Sequence, residues 1–319
     1  MKKYDMKTVF GPQAGRSPQM QAIADLLGKL DADLPDWLTL PVEQARAQQA
    51  RTFARWNVHL PDVAQIDMLL ISGLTGDPDV RVQKFTPPHA KAGALLYAHG
   101  GGWAFGDLKS HERLVRLLAL ATGMSVYHVD YRLAPEHPFP AGLNDMRAAW
   151  RWLVANQPGP LLIGGDSAGA NLALSTCLLE GEAGRKAPDG AILFYGAYTT
   201  DFETPSYLRF GEGYGLTRAR MMKFFDFYVP HSQRTDQAVA PILASEAALA
   251  KLPPLYLNAA GLDPLLSDTL LLVERLEEAE ARFTFDLVEG VHHGFMLMDE
   301  KLDAASAAIQ AAAVFAKSL

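Results

Sequence analysis

The segment around Ser167 carries the residue pattern of a serine nucleophile. Residues 161–174 read LLIGGDSAGANLAL, so a short apolar run leads into a serine with glycine two positions before and two positions after it. A Gly-x-Ser-x-Gly pattern between a strand and a helix is typical of a nucleophile elbow, a strained turn that exposes the serine hydroxyl above a sheet. A side chain at Gly165 or Gly169 would collide with the neighbouring strand or helix. We therefore predict that Ser167 acts as a nucleophile.

A serine nucleophile needs a base that removes its proton, and the sequence offers two adjacent histidines for this role. Residues 289–295 read EGVHHGF, so His292 and His293 directly follow the last predicted strand. A loop that leaves a strand of a central sheet can carry an imidazole back to the elbow. Zinc binding by the pair is the weaker alternative, because adjacent histidines do not easily converge on one metal and no third ligand stands out. We expect no metal.

A carboxylate must orient such a base and stabilise the imidazolium that forms. In nucleophile-elbow proteins the chain order is serine, then acid, then histidine. Asp263 satisfies this order, because it follows the preceding strand in the sequence AAGLDPL of residues 259–265. Taken alone, Asp263 would be better explained as a turn or helix-capping aspartate. Asp268 is the nearest alternative acid and is better explained as a residue in the first turn of a helix.

A run of glycines supplies the remaining part of a reaction centre. Residues 99–103 read HGGGW and directly follow a short apolar strand. Glycines at this position let backbone N–H groups point at one atom without obstruction, which is typical of an oxyanion hole. Ala168 adds the N–H after the nucleophile, at a helix N-terminus whose dipole favours negative charge. A phosphate-binding loop is the alternative, but no Lys-Ser/Thr pair follows and the Walker spacing is absent.

Strands that alternate with helices must position these residues. The predicted strands are 63–71, 80–87, 94–98, 125–129, a run that begins at Leu161, 191–195, 255–260 and 283–288. The predicted helices are 18–30, 41–55, 110–121, 141–155, one directly after Ser167, 267–281 and 303–317. This alternation implies βαβ units and a mostly parallel sheet that is covered on both faces. Residues 1–16 lack a periodic apolar pattern and are predicted to be poorly ordered.

Between residues 199 and 245 the alternation of strands and helices stops. This insert is rich in aromatic side chains, with eight of them within 27 residues. They are Phe202, Tyr207, Phe210, Tyr214, Phe224, Phe225, Phe227 and Tyr228. Two interpretations are open and compatible: the insert packs onto the body of the protein, or it forms an apolar lid over a site.

Five motifs together resemble the hormone-sensitive lipase-like family of α/β-hydrolase esterases and lipases. They are HGGG at 99–102, DYRLAPE at 130–136, GDSAG at 165–169, DPL at 263–265 and HGF at 293–295. They occur in the family's order, and their joint occurrence is highly specific. The resemblance implies an α/β-hydrolase fold with a mostly parallel eight-stranded sheet, helices on both faces and a helical cap.

The resemblance also implies roles for individual residues. His293 rather than His292 is the base, because it directly precedes Gly-Phe. The N–H groups of Gly101 and Gly102 join that of Ala168 in the oxyanion hole. In the implied domain organisation, residues 59–197 and 246–319 form the catalytic domain. The cap then comprises residues 1–58 and 198–245, although no motif constrains how the N-terminal part docks.

The implied activity is that of a serine carboxylic-ester hydrolase for small to medium acyl esters. It would work through a Ser-His-Asp triad and an acyl-enzyme, with a small-molecule ester as substrate and without a cofactor. Trp103, Phe105 and Phe224 are candidate walls of the acyl or alcohol pocket. Family members often dimerise, so a homodimer is an expectation by analogy.

Composition excludes several other classes of function. The chain has 319 residues, of which 49% are hydrophobic and 20% charged, as in ordinary globular proteins. Its net charge of −7 argues against nucleic acid or an anionic membrane surface as the main partner. The one cysteine, Cys177, lies in a predicted helix and fits a small buried apolar side chain. Without a signal peptide or a spanning apolar segment, a cytoplasmic location is expected.

Two alternatives to an esterase remain open from the sequence. An amidase or formamidase would use the same triad, and the His-Gly-Gly-x-Trp character of the glycine loop keeps this possibility in view. A small-molecule receptor on the same fold would have a disabled triad. None of the three triad residue types is missing here, which disfavours a receptor.

Overall fold

The computed structural model describes residues 15–319, which are built around an eight-stranded sheet. Its strands are β1 (Gln65–Ile71), β2 (Val80–Thr86), β3 (Ala94–Ala98), β4 (Ser125–Asp130), β5 (Leu161–Asp166), β6 (Gly190–Phe194), β7 (Leu255–Leu262) and β8 (Phe283–His292). The spatial order is β1-β2-β4-β3-β5-β6-β7-β8. Strand β2 runs antiparallel to β1 and β4, whereas all other neighbouring strands are parallel. The predicted α/β-hydrolase sheet is confirmed.

Ten α-helices occur in the described residues, and those between the strands cover both faces of the sheet. They are α1 (Pro18–Leu30), α2 (Val42–Ala54), α3 (Glu112–Thr122), α4 (Ala141–Asn156), α5 (Ala168–Glu182), α6 (Pro205–Phe210), α7 (Arg218–Tyr228), α8 (Glu246–Leu249), α9 (Leu266–Glu278) and α10 (Asp303–Lys317). Side chains of a strand alternate between the two faces. Along β3, Leu95 accordingly packs into the cluster that contains α3 and α10, and Leu96 packs into the cluster that contains α4 and α5.

The last strand is longer than the sequence predicted. Strand β8 continues beyond residue 288 to His292, and its ladder with β7 resumes after an irregularity between Ala260 and Leu262. The Glu289-Gly290 pair marks this irregularity rather than the end of the strand, so the ladder leads directly to the histidine pair. The prediction of a poorly ordered N-terminus falls almost entirely outside the described residues.

Two segments outside the alternating pattern cover one edge of the sheet. The N-terminal segment holds α1, a short 3₁₀ turn over Trp37–Thr39 and α2. The Ser17 hydroxyl caps α1 by accepting from the N–H of Met20 at 3.2 Å, and Pro18 occupies the first helical position as predicted. The insert, residues 198–245 between β6 and β7, holds α6 and α7. No helix within residues 15–319 combines the length and the apolar character needed to cross a membrane.

The sheet brings the sequence motifs to one edge. The glycine loop follows β3, Ser167 follows β5, Asp263 follows β7 and His293 follows β8. All four strands are parallel, so their carboxyl ends meet at the same edge of the sheet. This edge is where open α/β sheets bind their ligands.

His128 provides a test of how the core tolerates a buried imidazole. It lies fully buried in β4, edge-on to Tyr97 and His99, and within the described residues neither ring nitrogen has a hydrogen-bond partner. Burial and the neighbouring His99 and His111 hold the pKa of His128 well below its usual value. We expect His128→Leu to raise the free energy of unfolding by about 1–3 kcal/mol at neutral pH, since it removes an unsatisfied buried polar group.

The gain should be larger at acidic pH. The folded state keeps His128 neutral, whereas the unfolded chain takes up a proton as the pH falls below about 6.5, so the wild type loses more stability there than the variant. Chemical denaturation at pH 5 and pH 8 measures both effects, with the exposed His231→Gln as control. A variant that is less stable than the wild type at both pH values contradicts this interpretation.

Candidate active site

Ser167 occupies a strained turn between β5 and α5. Its backbone has φ 54° and ψ −119°, a conformation that residues other than glycine rarely adopt. The N–H of Ser167 donates to the carbonyl of Phe194 at 2.9 Å, which ties the turn to the end of β6. The strand-turn-helix geometry of a nucleophile elbow is therefore present, with the hydroxyl at its apex.

The flanking glycines allow the backbone to pack closely around this turn. A Cβ on Gly165 would lie 2.6 Å from the carbonyl oxygen of Ala98. A Cβ on Gly169 would collide with the same carbonyl group, because the first turn of α5 lies directly against the end of β3. Side chains at either position would push the helix off the strand, as the sequence pattern predicted.

The structure brings Ser167, His293 and Asp263 into one hydrogen-bonded chain. The Nε2 atom of His293 lies 2.9 Å from the Oγ of Ser167, and its Nδ1 lies 2.6 Å from the Oδ2 of Asp263. Asp263 is fully buried, and its other carboxylate oxygen accepts from the N–H of Leu265 at 2.8 Å. With Nδ1–H donating to the carboxylate, Nε2 is free to accept the serine proton.

The alternative acid and base face other partners. Asp268 accepts from the N–H groups of Tyr198 at 2.8 Å and Thr199 at 3.1 Å, so it anchors the start of the insert. Burial raises its pKa well above the usual value. His292 accepts at Nε2 from the guanidinium of Arg16 at 2.8 Å and makes no contact with the serine.

The glycine loop forms a tight turn beside the serine. Gly101 and Gly102 have φ angles of 122° and 60°. The carbonyl of Gly101 accepts from the N–H groups of Ala104 at 3.2 Å and Phe105 at 2.9 Å. As the first residue of α5, Ala168 has an N–H with no carbonyl one turn earlier in the helix. Gly101 and Gly102 line the same cavity as Ser167 and His293.

Asp166 holds the glycine loop against the elbow, a role that the sequence analysis missed. Its Oδ1 accepts from the N–H of Gly100 at 3.0 Å and from the hydroxyl of Tyr97 at 2.9 Å, and its Oδ2 lies 3.3 Å from Nε2 of His111. Burial opposes ionisation, but His111 and the hydrogen bonds from His111 and Tyr97 prevail, so the pKa of Asp166 is lowered. The signal in the sequence that could have indicated this role is the position of Asp166, directly before the proposed nucleophile.

A cavity of about 550 Å³ opens above the serine. The N-terminal segment contributes Leu27, Trp37, Phe53 and Trp56, the insert contributes Leu216, Met221 and Phe224, and the segment after His293 contributes Leu297 and Met298. Polar side chains of the N-terminal segment and of the insert also line it: Asp31, Asp36, Gln48, Gln49, Thr52 and Arg220. Apolar residues still make up the larger part of the lining, as is usual for small-molecule sites.

Of the three predicted pocket-wall residues, two line the cavity and one is buried elsewhere. Phe105 and Phe224 line the cavity, whereas Trp103 does not. The Trp103 ring is buried, and it stacks on Tyr228 with 4.4 Å between ring centroids. Trp103 has φ 58°, and its ring also lies edge-on to Phe225 of the insert, with 4.8 Å between ring centroids.

Trp37 is one of the wall residues that the sequence analysis did not identify, and it packs against both predicted walls that line the cavity. Its ring centroid lies 4.9 Å from that of Phe105 and 5.0 Å from that of Phe224, and only 5% of the residue is exposed. Trp37 lies in a short turn ahead of the first strand, and the local sequence there does not indicate that its side chain lines the cavity. Its place depends on how the N-terminal segment docks.

Comparison with known proteins agrees with this geometry. Residues 95–297 match the model of a family described by its alpha/beta hydrolase fold. The chain is 32% identical over 234 residues to the Carboxylesterase NlhH of Mycobacterium tuberculosis, covering 70% of this chain and 73% of that protein. It is 33% identical over 265 residues to the Ethyl acetate hydrolase of Pseudomonas putida, covering 74% and 82%.

Solved structures extend the similarity to almost the whole chain. An alpha/beta hydrolase enzyme from the metagenome of Lake Arreo superposes with a TM-score of 0.90 at 31% identity, over 96% of this chain and 99% of that one. A hyperthermophilic esterase from the archaeon Pyrobaculum calidifontis superposes with a TM-score of 0.86 at 28% identity, over 95% and 98%.

The glycine loop can be tested by adding one methyl group. A Cβ on Gly101 would lie 2.7 Å from the carbonyl carbon of Phe105, and its φ of 122° disfavours any L side chain. We expect Gly101→Ala to displace the loop and lower kcat for 4-nitrophenyl butyrate ~100–1,000-fold, the usual effect of losing one oxyanion donor. Gly184→Ala is the control, since it has φ 64° but open space around its Cβ. Equal effects of both substitutions contradict a specific role for the loop.

The aromatic wall can be tested by shortening Trp37. We expect Trp37→Ala to enlarge the cavity and raise the ratio of kcat/KM for long over short acyl esters ~10-fold or more, the range of changes in an apolar pocket. Initial rates on 4-nitrophenyl esters from acetyl to dodecanoyl measure the shift. Trp152→Ala, on α4 against Tyr127 and away from the cavity, is the control. An unchanged chain-length profile overturns the assignment.

Proposed function

Since the chain belongs to the hormone-sensitive lipase-like family of α/β-hydrolases and its relatives are carboxylesterases, we propose that Ser167, His293 and Asp263 are its catalytic triad. The observation that carries the proposal is the position of the His293 imidazole, 2.9 Å from the serine oxygen and 2.6 Å from the buried carboxylate. The substrates are small to medium acyl esters.

Acylation begins when the Ser167 oxygen attacks the ester carbonyl. The serine proton passes to Nε2 of His293, and the carboxylate of Asp263 stabilises the imidazolium. The carbonyl electrons move to oxygen, where the N–H groups of Gly101, Gly102 and Ala168 bind the oxyanion. The intermediate collapses when the C–O bond to the alcohol breaks and Nε2 returns its proton to the leaving oxygen.

Deacylation repeats these steps with water as the nucleophile. Nε2 of His293 removes a proton from water, the hydroxide attacks the acyl carbon, and the same N–H groups bind the second oxyanion. Collapse releases the carboxylic acid, and the proton on Nε2 returns to the Ser167 oxygen. One turnover therefore consumes one ester and one water molecule and releases one carboxylic acid and one alcohol.

The cavity supports the proposed size and polarity of the substrate. Its volume of about 550 Å³ fits a small molecule, and its walls of Trp37, Phe105, Phe224 and Leu297 are apolar. Three charged residues of the N-terminal segment and the insert, Asp31, Asp36 and Arg220, also line the cavity, and each has an ion-pair partner. The guanidinium of Arg220 lies 3.5 Å from the carboxylate of Asp36, and Arg55 pairs with Asp31. An uncharged ester with hydrophobic acyl and alcohol parts suits this lining.

Substitution of the triad tests the proposal. We expect Ser167→Ala to abolish turnover of 4-nitrophenyl butyrate, and Asp263→Asn to lower kcat ~10⁴-fold, because it removes the carboxylate that selects the tautomer of His293. Ser175→Ala, at another buried serine in α5, is the matched control and should retain wild-type rates. Esterase activity that persists in Ser167→Ala overturns the triad.

Two further experiments test the covalent reactivity of Ser167 and the preference of the protein for esters over amides. A phosphonate ester should add its phosphonyl mass to the wild type and not to Ser167→Ala. Parallel turnover of an acyl ester and its matching anilide measures the preference between esters and amides. Faster hydrolysis of the anilide contradicts an esterase and favours the amidase alternative.

A further inference from the structure

His292 is the histidine of the adjacent pair that the proposed chemistry leaves unused. Only 6% of the residue is exposed, and its side chain binds Arg16, which lies near the start of the described residues. Nε of Arg16 donates to its Nε2 at 2.8 Å. A buried imidazole that accepts from a guanidinium on a distant segment is a specific contact between segments 276 residues apart.

Arg16 also reaches the insert. Its guanidinium donates to the carbonyl of Gly213 and lies 5.0 Å from the ring centroid of Tyr214. The Tyr214 ring in turn meets the His292 ring edge-on, with 5.6 Å between centroids and an angle of 79°. A further donation to Gln21 at 3.4 Å ties the guanidinium to α1. One side chain therefore joins the N-terminal segment, the insert and the end of β8.

The backbone beside Arg16 reinforces this junction. The N–H of Ser17 donates to the carbonyl of Gly290 at 2.9 Å. Gly290 has φ 69°, and a Cβ there would lie 2.8 Å from the nitrogen of Ser17. Only glycine allows the N-terminal segment to lie this close to β8. The junction is thus built from side-chain and backbone contacts that require particular residue types.

We propose that Arg16 and His292 form a clamp that positions the His293 segment against the two parts of the cap. The clamp rests on the proposed role of His293 as the base. The three clamped segments also supply the cavity walls, through Trp37, Phe224 and Leu297. Arg16 and His292 are positioning residues, because they act on the reaction through the adjacent His293 and touch neither the serine nor the cavity.

The charge state of His292 suits this role. Burial, and then the charge of Arg16, lower the pKa of His292 to about 4. At neutral pH the imidazole is therefore uncharged, and its Nε2 keeps the lone pair that accepts from Arg16. A glutamine side chain can place its amide oxygen near the position of Nε2, so it can preserve the acceptor.

The experiment compares variants that break the clamp with variants that keep it. We expect Arg16→Gln and His292→Leu to lower kcat ~10-fold or more, since small misplacements of catalytic groups have effects of this size or larger, with KM changed less than about threefold. His292→Gln should retain kcat within about twofold of the wild type. Lys29→Gln, which removes an exposed charge from α1, is the matched control.

Two further measurements separate positioning from a general loss of stability. The Arg16→Gln/His292→Leu double variant should be no slower than the slower single variant, because both substitutions remove the same contact. Phosphorylation of Ser167 by diethyl 4-nitrophenyl phosphate should slow in parallel with kcat at a temperature where thermal unfolding shows each variant folded. If Arg16→Gln does not fold, the comparison of kcat between His292→Leu and His292→Gln still tests the clamp.

Three outcomes overturn the clamp: wild-type kcat in Arg16→Gln and His292→Leu, additive losses in the double variant, or equal losses in His292→Leu and His292→Gln. None of these outcomes changes the loss of activity that we expect for Ser167→Ala. Failure of the proposed triad would instead appear as esterase activity in Ser167→Ala, so the two failures are distinguishable.

Discussion

The close approach of helix α5 to the end of strand β3 sets the geometry of the whole site. Gly169 has no Cβ, so the first turn of α5 can lie directly against the carbonyls of Ala98 and His99. Ser167 stands immediately before this helix, and the glycine loop begins immediately after this strand. The same contact therefore sets the distance between the nucleophile and the N–H groups of the loop. Any larger residue at position 169 would move them apart.

Burial decides which side chains around this contact carry charge. Asp166 stays ionised because the Gly100 N–H, the Tyr97 hydroxyl and His111 surround it, and it binds the loop to the elbow. Asp268 lies in the same interior, where burial and the neighbouring Asp263 raise its pKa although the N–H groups of Tyr198 and Thr199 donate to it. In a medium of low polarity, the pKa of a carboxyl group depends on the balance between burial, hydrogen-bond donors and neighbouring charges.

The cavity lies between the proposed cap and the segment that carries His293. Its walls come from segments far apart in sequence, and these segments meet the His293 segment in two places. One is the cavity, which Trp37, Phe224 and Leu297 line together with Ser167. The other is the junction of Arg16 with His292. A change in how the cap docks would therefore alter both the shape of the cavity and the orientation of the imidazole.

The sequence by itself determined the sheet, the elbow and the order of the chemical groups. Close backbone approaches require glycine, as at Gly169, and buried parallel strands require apolar runs, so both leave a local signature. Only the tertiary structure decided that Trp37 lines the cavity while Trp103 lies in the core, and that His292 binds Arg16. These outcomes depend on packing between segments that the chain separates by tens to hundreds of residues, and no local periodicity encodes such contacts.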